Sequence, residues 1–128
     1  MKAMLDSDTC IYLMNGRPEV VAKEDLHECC ISSVVMGELE FGHLNSNRKV
    51  ENRAKLELLL GNLTVVEVGE AEAKVYADVR IRVKKQTIGP NDLWIAAHAM
   101  ALDLPLVTNN TREFSRVPGL AITTWLED

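Results

Sequence analysis

Apolar positions in this chain fall into two patterns. Short continuous runs alternate with stripes spaced at helical intervals. Ala3 to Leu5 is a short apolar run that stops at Asp6, which predicts a first strand. Asp8 to Asn15 predicts a short helix stopped by Gly16 and Pro18, and Pro18 to His27 a second helical stretch. Cys29 to Ser32 predicts a strand. A helix follows it, capped by Ser32 or Ser33 and ending near Gly42 to Asn45. Glu51 to Leu60 predicts a helix stopped by Gly61, and the β-branched run Thr64 to Val68 a strand. Glu70 to Lys85 is the clearest helix, with Ala71, Val75, Val79 and Val83 recurring every fourth position. Gly89-Pro90-Asn91 breaks it, and Asn91 is placed to cap the next helix, which runs to about Leu102. Leu104 to Thr108 predicts a strand, Asn109 to Ser115 a polar loop or single turn, and Leu120 to Thr124 a last strand. Strands alternating with helices predict an α/β domain with a mostly parallel sheet.

Composition narrows this reading. The 128 residues fit one domain, 1–128, and 47% hydrophobic content is enough for one sizeable core. The formal net charge of −5 counts against a broadly basic nucleic-acid binder. That objection weakens where acids gather around a cation, and 14 Lys and Arg remain to meet phosphates. Cys10, Cys29 and Cys30 have neither CxxC nor zinc-ligand spacing and read as small buried hydrophobes. An odd cysteine count without a signal peptide leads us to expect a reduced, cytoplasmic protein. No apolar run is long enough to span a membrane, and the most apolar stretch, Leu93 to Leu102, reads as a buried core helix.

In parallel sheets, sites form at the carboxyl ends of strands. Asp6 directly follows the first strand, Glu38 lies in the helix after the second, Asp92 opens the most apolar helix and Glu113 follows the Leu104 to Thr108 strand. Carboxylates brought together repel, and a divalent cation removes that penalty. Oxygen-only ligands suit Mg²⁺ or Mn²⁺. Each acid also has a plainer reading. Asp92 suits any helix N-terminus. Asp6 can serve as a turn residue or as the cap of the helix beside it. Glu38 and Glu40 face opposite sides of one helix, and periodicity does not choose between them. Glu113, beside Arg112, reads equally as surface. His27, His43 and His98 share no ligand spacing, and His98 reads as a satisfied core or interface histidine. Ser32 and Ser33 lack a nucleophile elbow, no phosphate-binding glycine motif is present, and Trp94 and Trp125 read as packing residues.

Four ordered motifs bring these residues together. Met4-Leu5-Asp6-Ser7-Asp8-Thr9-Cys10-Ile11-Tyr12-Leu13 is the first, and Ile31-Ser32-Ser33 through Gly37-Glu38-Leu39-Glu40-Phe41-Gly42 the second. Ile88-Gly89-Pro90-Asn91-Asp92-Leu93-Trp94-Ile95-Ala96-Ala97-His98-Ala99 is the third, and Leu106-Val107-Thr108-Asn109-Asn110-Thr111-Arg112-Glu113-Phe114, continued by Arg116 to Leu120, the fourth. In these the chain resembles the PIN-domain ribonucleases, and within them the VapC-type toxins of toxin–antitoxin pairs. The resemblance covers nearly the whole chain. It implies a three-layer α/β/α fold with a central parallel sheet and metal-dependent endonuclease activity on RNA, transfer or ribosomal. It further implies a homodimer and a cognate antitoxin partner.

The resemblance puts Asp6, Glu38 and Asp92 at the metal-site positions, so it selects Glu38 over Glu40. It gives Glu113 the fourth acidic position, and Thr108 and Asn110 supporting ones. The chain departs from the pattern at Ser7, Asp8, Val35 and Gly37, of which Asp8 adds a charge to an already negative pocket. Two readings of Asp8 stand: it caps the short helix, or it adds an oxygen ligand. The expected chemistry is metal-assisted phosphodiester hydrolysis. Asp6 and Asp92 hold the cation, Glu38 and Glu113 orient water or a second cation, and Arg112 and Arg116 contact the RNA backbone. The products expected from the resemblance are a 5′-phosphate and a 3′-hydroxyl. Two competing readings are an inactive PIN-fold binding domain and a haloacid-dehalogenase-type phosphatase. The phosphatase needs Thr or Val where Cys10 stands, and a later Gly-Asp pair that the chain lacks.

Overall fold

A computed structural model describes residues 1–16 and 24–125. Five parallel strands form one sheet in the order β3-β2-β1-β4-β5. They are β1 (Ala3–Leu5), β2 (Cys29–Ser32), β3 (Thr64–Val66), β4 (Leu106–Val107) and β5 (Ile122–Thr123). The three inner strands are buried along their whole length, which is why their sequences are continuous apolar runs rather than alternating ones. The edges β3 and β5 are short and partly exposed, which limits edge pairing with other chains.

Helices flank the sheet on both faces and complete an α/β/α sandwich. They are α1 (Ser7–Met14), α2 (Ser33–Leu44), α3 (Lys49–Leu60), α4 (Glu70–Arg82), α5 (Pro90–Ala101) and the single turn α6 (Thr111–Phe114). Helices α1, α2 and α3 pack together as one group, and α4 packs along α5 as another. Met4, Leu5, Ile31, Ile95 and Leu106 are fully buried at the centre of the core. Cys10, Cys29 and Cys30 are free and buried, as expected of small hydrophobes, and burial pushes the Cys30 thiol up to about 11.

Several boundaries differ from the sequence reading, each for a local reason. Helix α1 starts at Ser7 because Asp6, not Asp8, is its N-cap: the Asp6 carboxylate accepts from Thr9 N at 2.9 Å. Helix α5 starts at Pro90 because Gly89 takes the cap position and proline is suited to the first turn; Asn91 is therefore inside the helix. Helix α4 ends at Arg82, short of Lys85. Strands β3, β4 and β5 are each shorter than the apolar runs that contain them. Residues 17–23 of the helical stretch expected from Pro18 to His27 lie outside the described residues; its end is a 3₁₀ turn, Leu26–Glu28.

This topology creates the site. The chain runs from β1 outward to β2 and β3, then returns through α4 and α5 to place β4 on the other side of β1. Helices leaving β1 and β4 diverge, and a crevice opens at the carboxyl ends of those two strands.

Candidate active site

Asp6 and Thr108 follow the two strands that border this crevice. Asp6 is 3% exposed, and Thr108 is fully buried. The Thr108 hydroxyl donates to Asp6 Oδ2 at 2.5 Å and accepts from Asn110 N at 2.9 Å. With Thr9 N on Oδ1, both oxygens of Asp6 are held. Thr9 Oγ1 in turn donates to Val107 O at 3.2 Å, tying α1 to β4. Burial pushes the Asp6 carboxyl above its ordinary value; the bonds from Thr108 and Thr9 oppose that shift, and the charge of Asp8 adds to it.

Glu38 projects from α2 toward the same place. Ser7 Oγ donates to its Oε1 at 2.5 Å and Asn91 Nδ2 to its Oε2 at 3.4 Å, so α1 and α5 both orient it. Glu40 instead pairs with Arg53 at 2.6 Å, which separates the two glutamates by role. Glu113 in α6 accepts from Gly89 N and from Asn110 Nδ2, both at 2.8 Å. The Gly89 bond, the bond from Asn110 and the nearby Arg116 charge hold Glu113 below its usual value against a raising effect of burial.

Asp92, in the first turn of α5, completes the set. Its carboxyl is pushed up to about 7, first by burial and then by the charge of Glu113, with Glu38 and Asp6 adding to it. The positive end of the α5 helix dipole acts the other way and is outweighed. Ionising Asp92 beside the other acids is costly without a counter-charge. Among the described residues no Lys or Arg forms an ion pair with any of the four. The donor set is oxygen only, which fits a hard divalent cation. Among the described residues no three acidic, cysteine or histidine side chains converge tightly enough to cage an ion by themselves.

A cleft of about 620 Å³ opens beside the cluster, lined by Ser7, Asp8, Ile11, Glu38, Phe41 and Asn91 among others. Asp8 is exposed at this mouth and makes no capping bond, so the capping account of Asp8 is corrected. Arg116 donates to Thr87 O at 2.5 Å beside Glu113, whereas Arg112 is exposed. His98 is fully buried, but neither ring nitrogen has a hydrogen-bond partner among the described residues, so it is not the satisfied histidine expected. Burial lowers its pKa, against the opposing charge of Glu72. Trp125 is buried and Trp94 stacks on Tyr76, as packing residues do.

Sequence reasoning missed Ser7, Thr9 and the backbone of Gly89 as partners of the acids, and it took Asn91 for a cap. Nothing in a lone hydroxyl or amide marks its distant partner. The spacing of Asn91 and Asp92 on one helix turn was the one available signal for Asn91.

An open parallel sheet between two layers of helices, with an acid cluster at the β1/β4 crevice, defines the class of fold. A family model described as PIN domain matches residues 3–120. Ribonuclease VapC2 of Rickettsia felis is 36% identical, with 95% of this chain and 96% of that protein covered. The tRNA(fMet)-specific endonuclease VapC of Salmonella typhimurium is 34% identical, with 98% of each covered. The crystal structure of DNA-bound VapBC from Salmonella typhimurium superposes with a TM-score of 0.91 at 35% identity, covering 98% of both chains. The chain belongs to the PIN-domain family, among its VapC-type members. Among the described residues no helix is long and apolar enough to cross a membrane.

Proposed function

We propose that this protein is a divalent-metal-dependent endoribonuclease and the toxin of a toxin–antitoxin pair, acting as a homodimer. The observation that carries the reading is the meeting of Asp6, Glu38, Asp92 and Glu113, from four separate segments, with no ion pair to any of them among the described residues. Relatives named as ribonucleases and a tRNA-specific endonuclease support RNA as substrate, with transfer RNA favoured. The likeness to VapBC complexes supports a cognate antitoxin.

In this reading Asp6 and Asp92 hold Mg²⁺ or Mn²⁺, directly or through water. When bound, such a cation would supply Lewis acidity toward the phosphate and toward water in the crevice. Thr108 and Thr9 fix the Asp6 carboxylate, with one donor on each oxygen, so that it does not rotate freely. Ser7 and Asn91 aim Glu38, and Gly89 and Asn110 aim Glu113. These two glutamates orient the attacking water, which enters in line and leaves a 5′-phosphate and a 3′-hydroxyl. Asp8, at the cleft mouth, adds negative charge that strengthens cation capture.

The test is cleavage of transfer RNA by purified protein with Mg²⁺, with Mn²⁺ and with EDTA. Cleavage is expected only with metal, and Asp6→Asn or Asp92→Asn is expected to abolish it. Full cleavage in EDTA, or by either variant, would falsify the mechanism.

A further inference from the structure

Residues 79–91 contain no Asp or Glu and carry four of the chain's 14 Lys and Arg: Arg80, Arg82, Lys84 and Lys85. In a chain of net charge −5, this acid-free stretch leads straight to Asp92. Part of the basic character has a plain cause. Arg80 and Arg82 occupy the last turn of α4, where cations are favoured, and Arg82 pairs with Asp78 at 3.2 Å. Lys84 and Lys85 lie beyond that helix. Among the described residues neither they nor Arg80 pairs with a carboxylate.

A concavity of about 150 Å³ lies here, lined by Arg80, Val83, Lys84, Gln86, Ile88 and Leu93. The Arg80, Lys84 and Gln86 side chains all offer N–H donors, and no carboxylate lines the concavity. Its apolar floor joins it to the active site: Ile88 precedes Gly89, which bonds Glu113, and Leu93 follows Asp92. Arg116 also holds this connection, donating to Thr87 O beside Ile88.

Arg80 is also held in place. Its Nη1 donates to the Tyr76 hydroxyl at 3.2 Å, and its guanidinium carbon lies 5.9 Å from the Tyr76 ring centroid. Tyr76 stacks on Trp94 with centroids 3.7 Å apart and planes within 5°. An exposed arginine normally gives up much rotamer freedom on binding. This one is supported by an aromatic pair that spans α4 and α5, so less is lost. A planar guanidinium with free N–H groups, a neighbouring ammonium and an amide make a phosphate site.

We propose that Arg80, Lys84 and Gln86 form a phosphate subsite that holds a backbone phosphate of the RNA strand away from the scissile bond. It rests on the ribonuclease reading and adds to it a direction: the strand leaves the acid cluster along the α4–α5 connection. Tyr76 acts as a positioning residue through Arg80.

The experiment uses the full-length protein, a fluorescein-labelled single-stranded RNA that extends several nucleotides to each side of a cut, and a dinucleoside phosphate that reaches only the acid cluster. Arg80→Gln and Lys84→Gln should each raise KM for the long RNA about fivefold, the upper end for a solvent-exposed ion pair, with kcat unchanged. Neither should change KM for the dinucleoside phosphate. Binding by Asp6→Asn, followed by anisotropy across a salt series, should lose about 0.7 from the slope of log affinity against log salt for each side chain removed. Tyr76→Phe should give a smaller rise in KM, with Arg80 still charged. Lys74→Gln, on the same helix but 77% exposed and outside the concavity, is the control for net charge.

An equal rise in Lys74→Gln overturns the proposal in favour of a diffuse field. Wild-type KM in both subsite variants overturns it while leaving the ribonuclease reading intact. Dissociation of a dimer by these variants, or loss of partner-protein binding with RNA binding unchanged, assigns the surface to a protein interface and overturns it too. No cleavage by wild-type protein, with groove-dependent RNA binding preserved, would sink the activity reading and support the subsite.

Discussion

Thr108 has one hydroxyl and two duties, as donor to Asp6 and acceptor for Asn110 N. Thr108→Val keeps the shape and removes both bonds. It is expected to cost about 1–3 kcal/mol of stability, the range for leaving buried polar groups unpaired, and to weaken metal binding as Asp6 loses its fixed orientation. Urea melts and metal titration by calorimetry check the two effects separately; unchanged stability would mean that the valine variant re-pairs both groups. Asp92 supplies a pH prediction. Its carboxyl titrates near 7 in the folded chain against 3.8 ordinarily, so the folded state binds this proton more tightly than the unfolded state. The stability this gives the metal-free protein is full below about pH 4 and is lost as pH rises through about 7. Asp92→Asn cannot ionise, so in EDTA its melting temperature should overtake that of wild type as pH goes from 5 to 8. Mg²⁺ or Mn²⁺ should raise the wild-type melting temperature, and more at pH 8 than at pH 5, because cation and proton compete for one carboxylate. Parallel pH profiles of the two proteins in EDTA would refute this account of Asp92.

At the level of elements, Asp6 both caps α1 and serves the acid cluster, which leaves Asp8 free of any capping duty. Asp8→Ala is accordingly expected to change stability by less than about 0.5 kcal/mol, rather than the ~1 kcal/mol of a lost cap. Asp8→Asn should leave the melting temperature alone and raise the metal concentration needed for half-maximal cleavage, since its charge lies at the cleft mouth. A melt that drops as far as a cap deletion would restore the capping role. The same elements explain what was legible in the sequence. The runs Ala3 to Leu5 and Cys29 to Ser32 matched their strands because inner parallel strands must be apolar on both faces. The α4 periodicity held where it mattered, at buried Val79 and Val83, whereas Ala71 at the same spacing is exposed. Asn91 was misjudged because Asn is a strong cap and glycine a modest one; the proline that follows Gly89 decides the start. The four acids could be named from strand ends and motif resemblance. Their partners could not, because Ser7 to Glu38, Asn91 to Glu38 and Thr108 to Asp6 are contacts between residues 31, 53 and 102 positions apart.

For the whole molecule, the charge distribution sets the biology expected of it. An overall charge of −5 combined with an acid crevice should attract a basic side chain from an inhibitory partner as readily as it attracts a cation. Induced expression of this chain alone should arrest growth of a bacterial host, and Asp92→Asn should relieve the arrest. Good soluble yield of active enzyme with no effect on growth would count against a toxin role. The position of β1 at the middle of the sheet carries one more consequence. The strand made first pairs with β4, so Met4 meets Leu106 and Asp6 meets Thr108 only after nearly all the chain between them has been synthesised. Contacts of such long sequence separation form late and slowly, since the intervening loop must be closed first. On the ribosome, therefore, the growing polypeptide cannot assemble its acid crevice until β4 has emerged from the exit tunnel. A message cut short before that strand yields a fragment in which Asp6 lacks Thr108 and the crevice lacks its β4 wall.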